Sequence, residues 1–215
     1  MNQLKQLINK HEIIEIQKFV RNNCVEIEDV RELLIYALQN KENNRIIEYL
    51  IELLNYNLNY YNQEGKVPLF VSLQQKNYYI TDKLLKNKAD INYIDKNGEN
   101  VLLYLYHKKV LNEKMLVYLL EKGIDVSYCQ QKTDKTFLDY IDEYRNRNFI
   151  NIILKYFYNN DVEVVLSLIL SHKNKWGISN RLLKEIIRYR INPKIKNKLM
   201  LLAYHHNNIN LLRFL

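Results

Sequence analysis

The chain has 215 residues, a formal net charge of +8, 47% apolar and 26% charged residues, the balance of a folded protein and not of a disordered one. With 4 Gly and 2 Pro, a collagen-like, elastic or linker-dominated chain is excluded, and an all-β protein built on tight primed turns is disfavoured. The two cysteines, Cys24 and Cys129, make no disulfide framework and predict a reducing, cytoplasmic or nuclear setting, while no apolar run reaches the length of a signal peptide core or a membrane span.

Along the chain, Ile13, Ile16, Phe19 and Val20 trace one face of a helix expected to cap the N-terminus. Leu33–Ala37 followed by Ile46–Leu50 reads as a helix pair, with Leu58-Asn59 at its exit. The next segments repeat. Gly65-Lys66-Val67-Pro68-Leu69-Phe70 returns 33 residues later as Gly98-Glu99-Asn100-Val101-Leu102-Leu103. Behind each run lies an apolar helical pattern ending in a leucine pair, Leu84-Leu85 and Leu119-Leu120. Each pair leads to a short polar exit, Ala89-Asp90-Ile91-Asn92 and Ile124-Asp125-Val126-Ser127. Another copy opens at Lys135-Thr136-Phe137-Leu138. The later segments are offset by 35, a two-residue insertion between the second copy's helices, and recurrence at a period of this length is the mark of a repeat array. Further helical runs are expected at Phe149–Phe157, Val162–Leu170 and Leu182–Ile187, with Ser179 as an N-cap and Pro193 in a first turn. The chain stops in mid-helix at Leu211–Leu215 with no polar cap, so a fragment of a longer array is expected.

The unit resembles an ankyrin repeat. Val67 through Asn92 aligns without a gap to that family's Thr-Pro-Leu-His, Leu-Leu and Gly-Ala-Asp-Val-Asn pattern, and Asp95-Lys96-Asn97-Gly98 to its Asp-x-x-Gly turn. The resemblance implies an all-α fold: a single helix-turn-helix solenoid over residues 1–215. Its clearest repeats span 59–142, divergent ones 1–58 and 143–197, and a truncated one 198–215. Several family positions are lost. Val67-Pro68-Leu69-Phe70 lacks the Thr and His that normally exchange hydrogen bonds, and Thr136-Phe137-Leu138-Asp139 keeps only Thr and Leu. Ser72-Leu73 and Leu105-Tyr106 replace a small Ala pair, which predicts looser packing of neighbouring helices. Lys76 replaces the Gly between helices, which predicts a strained or rebuilt turn.

No Gly-rich phosphate loop, paired-cysteine metal signature or nucleophile motif is present, so no catalysis, metal, cofactor or small-molecule substrate is expected. The family resemblance instead implies a protein-interaction scaffold that holds an unidentified partner protein on its loop tips and concave helix face. The candidate contacts are Tyr61, Gln63 and Lys66 in one tip and Ile94, Lys96 and Glu99 in the next. Tyr60, Tyr93 and Tyr128 recur at one equivalent position and form a candidate tyrosine ladder. The competing clue is charge. Residues 172–215 carry ten Lys and Arg against Glu185 alone, so the rest of the chain is nearly neutral. Arg181, Lys184 and Arg188 share one helical stripe, a basic face suited to an acidic protein or nucleic acid. The alternatives are therefore binding through that face, or service as a non-catalytic segment of a larger multidomain protein. The 29 Asn and 23 Lys also fit codon drift in a low-GC genome, which needs no functional pressure.

Overall fold

The structure is a computed structural model that describes residues 2–160 except 24, 56, 127 and 145, together with 196, 197, 200, 201, 204, 209 and 212. The expected helices at 162–170 and 182–187, the Ser179 cap, Pro193, Cys24 and the basic stripe lie outside the described residues. The described chain is mostly helical, as expected of an all-α protein, with one two-residue antiparallel ladder. It divides into two compact units, Met1–Leu111 and Asn112–Leu215. Among the described residues no helix is long and apolar enough to cross a membrane.

The first unit holds α1 (Asn2–Asn9), α2 (Ile13–Asn22), α3 (Ile27–Gln39), α4 (Asn44–Leu53), α5 (Pro68–Gln74), α6 (Tyr78–Lys86) and α7 (Val101–His107). Helices pair as α1 with α2, α3 with α4, and α5 with α6; the leading helices then pack in succession, α1 on α3, α3 on α5 and α5 on α7. The apolar spacing dictates this. In α3 the buried residues Val30, Leu33, Leu34, Ala37 and Leu38 form one helical stripe. Ile46, Ile47, Leu50 and Ile51 do so in α4, and Ile80 and Leu84 in α6. In α2 only Ile16 is fully buried; Ile13, Phe19 and Val20 are half-buried. At α5, Pro68 occupies the first turn, where its missing N–H leaves no bond unmade. Leu73 and Leu105 are completely buried.

Three short turns that follow helices of the first unit use one device. Lys41, Lys76 and Lys109 adopt left-handed φ values of 54°, 58° and 58°. The following N–H groups, of Glu42, Asn77 and Val110, reach back to the carbonyls of Ala37, Ser72 and Leu105 at 3.0, 3.0 and 3.1 Å. This is the Schellman closure, which satisfies carbonyls otherwise left open at a helix end. The expected strain at Lys76 is thus present in φ, yet the hydrogen bonding of the turn is complete.

Four helices, α4, α6 and the two that begin at Glu113 and Arg147, start at an asparagine, whereas α2 follows Glu12 with no side-chain cap. Asn43 accepts from Arg45 N, Asn77 from Ile80 N at 3.1 Å, and Asn112 from Met115 N at 2.9 Å. Asn146 accepts from Phe149 N at 3.3 Å. Such side chains satisfy the unpaired N–H groups of a first turn.

The second unit holds α8 (Glu113–Glu121), β1 (Cys129–Gln130), β2 (Lys135–Thr136), α9 (Phe137–Glu143) and α10 (Arg147–Asn160). The strands pair antiparallel, with Cys129 opposite Thr136 and Gln130 opposite Lys135. α10 packs on α8 and α9. Tyr156 Oη donates to Leu120 O at 2.8 Å, and Asn148 Nδ2 to Glu113 Oε1 at 2.8 Å. At the start of α9, Thr136 N and Oγ1 donate to Asp139 Oδ2 at 2.7 and 2.9 Å. Asp139 N returns to Thr136 Oγ1 at 3.4 Å, a reciprocal exchange that closes the first turn of α9.

Candidate functional site

Two loop tips of the first unit are built alike. In the first, Asn62 N donates to Lys66 O at 3.0 Å, Gly65 N to Asn62 O at 2.8 Å, and Lys66 N to Asn62 Oδ1 at 2.9 Å. In the second, Asp95 N donates to Glu99 O at 2.9 Å, Gly98 N to Asp95 O at 3.0 Å, and Glu99 N to Asp95 Oδ1 at 2.9 Å. Asn62 and Asp95 are both buried, so each tip is anchored from within by a side chain that closes its own backbone. Gly65 and Gly98 supply the left-handed residues these turns require. In the second unit, buried Gln130 sits at the comparable place: Thr133 N and Asp134 N donate to its carbonyl at 3.2 and 2.8 Å.

The tips are tied to what precedes them. Asn62 Nδ2 donates to Glu32 Oε2 at 3.0 Å and Gln63 N to Glu32 Oε1 at 3.2 Å. The exit segment of α6 joins the first tip through Asp90 N, which donates to Asn59 Oδ1 at 2.8 Å. The side chain of Lys96 lies across Gly65: a Cβ added there would stand 1.9 Å from Lys96 Cε. The two tips therefore make one surface.

On that surface Tyr61, Gln63 and Lys96 are exposed, Tyr61 at 50%, while Lys66, Ile94, Tyr93 and Glu99 are half-buried. Lys66 Nζ pairs with Glu64 and, as its hydrogen-bond partner, holds that carboxyl below the usual carboxylate range; Lys5 and Lys96 add to the effect. Burial raises the Tyr93 hydroxyl above its ordinary value, and neighbouring Tyr61 adds to the rise. Glu99 Oε1 lies 2.7 Å from His107 Nδ1, joining the second tip to the end of α7. Tyr128, half-buried, belongs to the second unit. Arg181, Lys184 and Arg188 lie outside the described residues.

The tyrosine ladder needs a correction at its first member. Tyr60 is only 7% exposed. Its hydroxyl donates to Arg31 O at 2.9 Å, and the Arg31 guanidinium stands 5.0 Å from its ring centroid. Burial pushes its hydroxyl far above the ordinary phenol range. Tyr60 is a packing residue between α3 and the tip, not a contact surface.

Polar side chains of the leading helices are engaged, two of them with the neighbouring helix and Lys108 with its own. Tyr104 Oη donates to Gln74 Oε1 at 2.6 Å, Gln75 Nε2 reaches Gln39 O at 3.5 Å, and Lys108 Nζ lies 5.7 Å from the Tyr104 ring centroid. Tyr36 Oη likewise donates to Asn9 Oδ1 at 2.7 Å. These three hydrogen bonds link residues 27 to 36 positions apart, about one period. Cys129 is exposed, but burial of its sulfur followed by the hydrogen bond and charge of Asp134 raises its thiol, the opposite of what a nucleophile needs. Among the described residues no group of three His, Cys, Asp or Glu side chains is placed to hold a metal ion.

Sequence reasoning missed the anchors Asn62 and Glu32 and the four capping asparagines. For the anchors the signal was present, because Asn62-x-x-Gly65 repeats the spacing of Asp95-x-x-Gly98. No protein-family model matches the chain, and no curated protein matches it.

Proposed function

We propose that this chain is a non-enzymatic, ankyrin-type repeat scaffold whose paired loop tips hold a partner protein in a cytoplasmic or nuclear setting. One observation carries the reading. Two tips 33 residues apart are fixed from below by buried Asn62 and Asp95, yet present Tyr61, Gln63 and Lys96 outward. Rigid tips that project an aromatic and a cation suit recognition, because little side-chain and loop entropy remains to be lost on binding. The register of bonds about one period apart supports the repeat reading independently.

The test is a partner recovered by cross-linking from the native source, then measured against Tyr61→Ala/Lys96→Ala. Loss of binding with unchanged helicity supports the tips. Ile94 is half-buried, so its truncation would confuse contact with packing and it is left intact. Unchanged affinity overturns the tip reading. Steep salt dependence, with loss on Lys184→Glu/Arg188→Glu, would instead assign binding to the basic segment that holds the chain's excess charge.

A further inference from the structure

The second tip contains the chain's one asparagine followed by glycine, Asn97-Gly98. We propose that Asn97 is a site of spontaneous covalent modification, and that Asp95 holds it unreacted while the tip is closed. The chemistry is intramolecular. The Gly98 amide nitrogen attacks Asn97 Cγ, a C–N bond closes a five-membered succinimide, and Nδ2 leaves as ammonia carrying the proton lost by Gly98 N. Water then opens the imide at either carbonyl, leaving aspartate or isoaspartate at position 97.

Two observations make the site reactive. Asn97 is exposed. Gly98 has no side chain to shield its nitrogen, and a Cβ placed there would meet nothing within 4 Å. Three hydrogen bonds oppose the reaction, all to one residue. Asn97 Nδ2 donates to Asp95 Oδ2 at 3.1 Å, and Asn97 N to Asp95 Oδ1 at 2.8 Å, so the side chain is held toward Asp95. Gly98 N, the nucleophile, donates to Asp95 O at 3.0 Å. Asp95 is 6% exposed, so this clamp is shielded from water and opens only when the tip opens.

Conversion has a defined consequence. A carboxylate at position 97 loses the donor that faces Asp95 Oδ2 and sets two like charges together at a buried anchor. The turn then loosens beneath Lys96 and Glu99. The covalent reaction stands on the tip geometry alone; only its effect on partner binding rests on the interaction reading above.

The experiment incubates the folded protein and the same chain in concentrated urea at mildly alkaline pH, then maps Asn97 by digestion and mass spectrometry with an isoaspartate-specific readout. The folded protein is expected to convert at least about tenfold more slowly at Asn97 than the unfolded chain. Asp95→Ala, with helicity retained, removes the two bonds to the carboxylate but keeps Gly98 N on the main-chain carbonyl, so it is expected to convert several-fold faster than the folded parent and more slowly than the unfolded chain. Equal rates in folded and unfolded protein overturn the proposal, as does a folded Asp95→Ala no faster than the parent. Should Asp95→Ala unfold, Asn97→Asp replaces it. Faster hydrogen exchange at the Gly98 and Glu99 amides is then expected, and unchanged exchange overturns the clamp. Because the readout is chemical, a protein that binds no partner leaves this test intact.

Discussion

Asn77→Ala is the sharpest probe of how consecutive helix pairs are held. Asn77 Oδ1 accepts from Ile80 N at 3.1 Å at the start of α6, and Nδ2 donates to Asn44 Oδ1 at 3.0 Å, 33 residues earlier. Losing an N-cap of this type costs about 1 kcal/mol. The exposed amide–amide bond adds about 0.5 kcal/mol, so Asn77→Ala is expected to destabilise by about 1.5 kcal/mol. Asn77→Ser keeps a capping oxygen but cannot reach Asn44, and should cost only about 0.5 kcal/mol, since Ser and Asn cap about equally well. Asn112→Ala removes the cap of α8 at Met115 N and should fall near 1 kcal/mol. Urea titration followed by far-UV circular dichroism reads these differences, and a thermal scan should move by roughly 2–4 °C per kcal/mol for a chain of this size. A double-mutant cycle with Asn44→Ala isolates the link between pairs. The reasoning fails if Asn77→Ser is as costly as Asn77→Ala, or if the cycle shows no coupling.

Two further outcomes are expected. Tyr60 has a hydroxyl raised by burial above its ordinary value of 10.0, so folding favours the protonated phenol. Stability from this group is complete below pH 10 and declines as pH rises beyond it. Tyr60→Phe should flatten the alkaline limb of a stability-versus-pH curve while losing the bond to Arg31 O; an unchanged limb would show that Tyr60 is not the group responsible. Lys76→Gly should stabilise the protein by about 0.5 kcal/mol. It relieves a left-handed φ of 58° worth about 1 kcal/mol, less about 0.5 kcal/mol for the freer unfolded chain. A lower urea midpoint would refute this account of the turn.

Much of the fold was legible because it is local. The apolar stripes of α3, α4 and α8, the proline opening α5 and the Asp-x-x-Gly turn at Asp95 each follow from a few neighbouring residues. The capping asparagines show where composition misleads. Codon drift accounts for a surplus of Asn, but Asn43, Asn77, Asn112 and Asn146 each bond a first-turn N–H at intervals near one period. The surplus and the structural use coexist, and only position separates them. Lys41 and Lys109 were unreadable as left-handed residues, since lysine has no preference for that region, and Lys76 was readable only through the glycine position that the resemblance gives it. The helix-ending hydrogen bonds impose the left-handed conformation.

By itself the sequence determined the period, the helical character and the place of the tips, because each depends on spacing along the chain and on which residues tolerate a turn. The tertiary structure decided what each tip residue does. Tyr60 and Tyr61 are adjacent and chemically identical, yet one is sealed beneath Arg31 and the other stands half in solvent. Glu32 anchors a tip thirty residues away, and Lys96 covers Gly65. Those assignments arise from contacts between one helix pair and the next, so no local pattern could carry them.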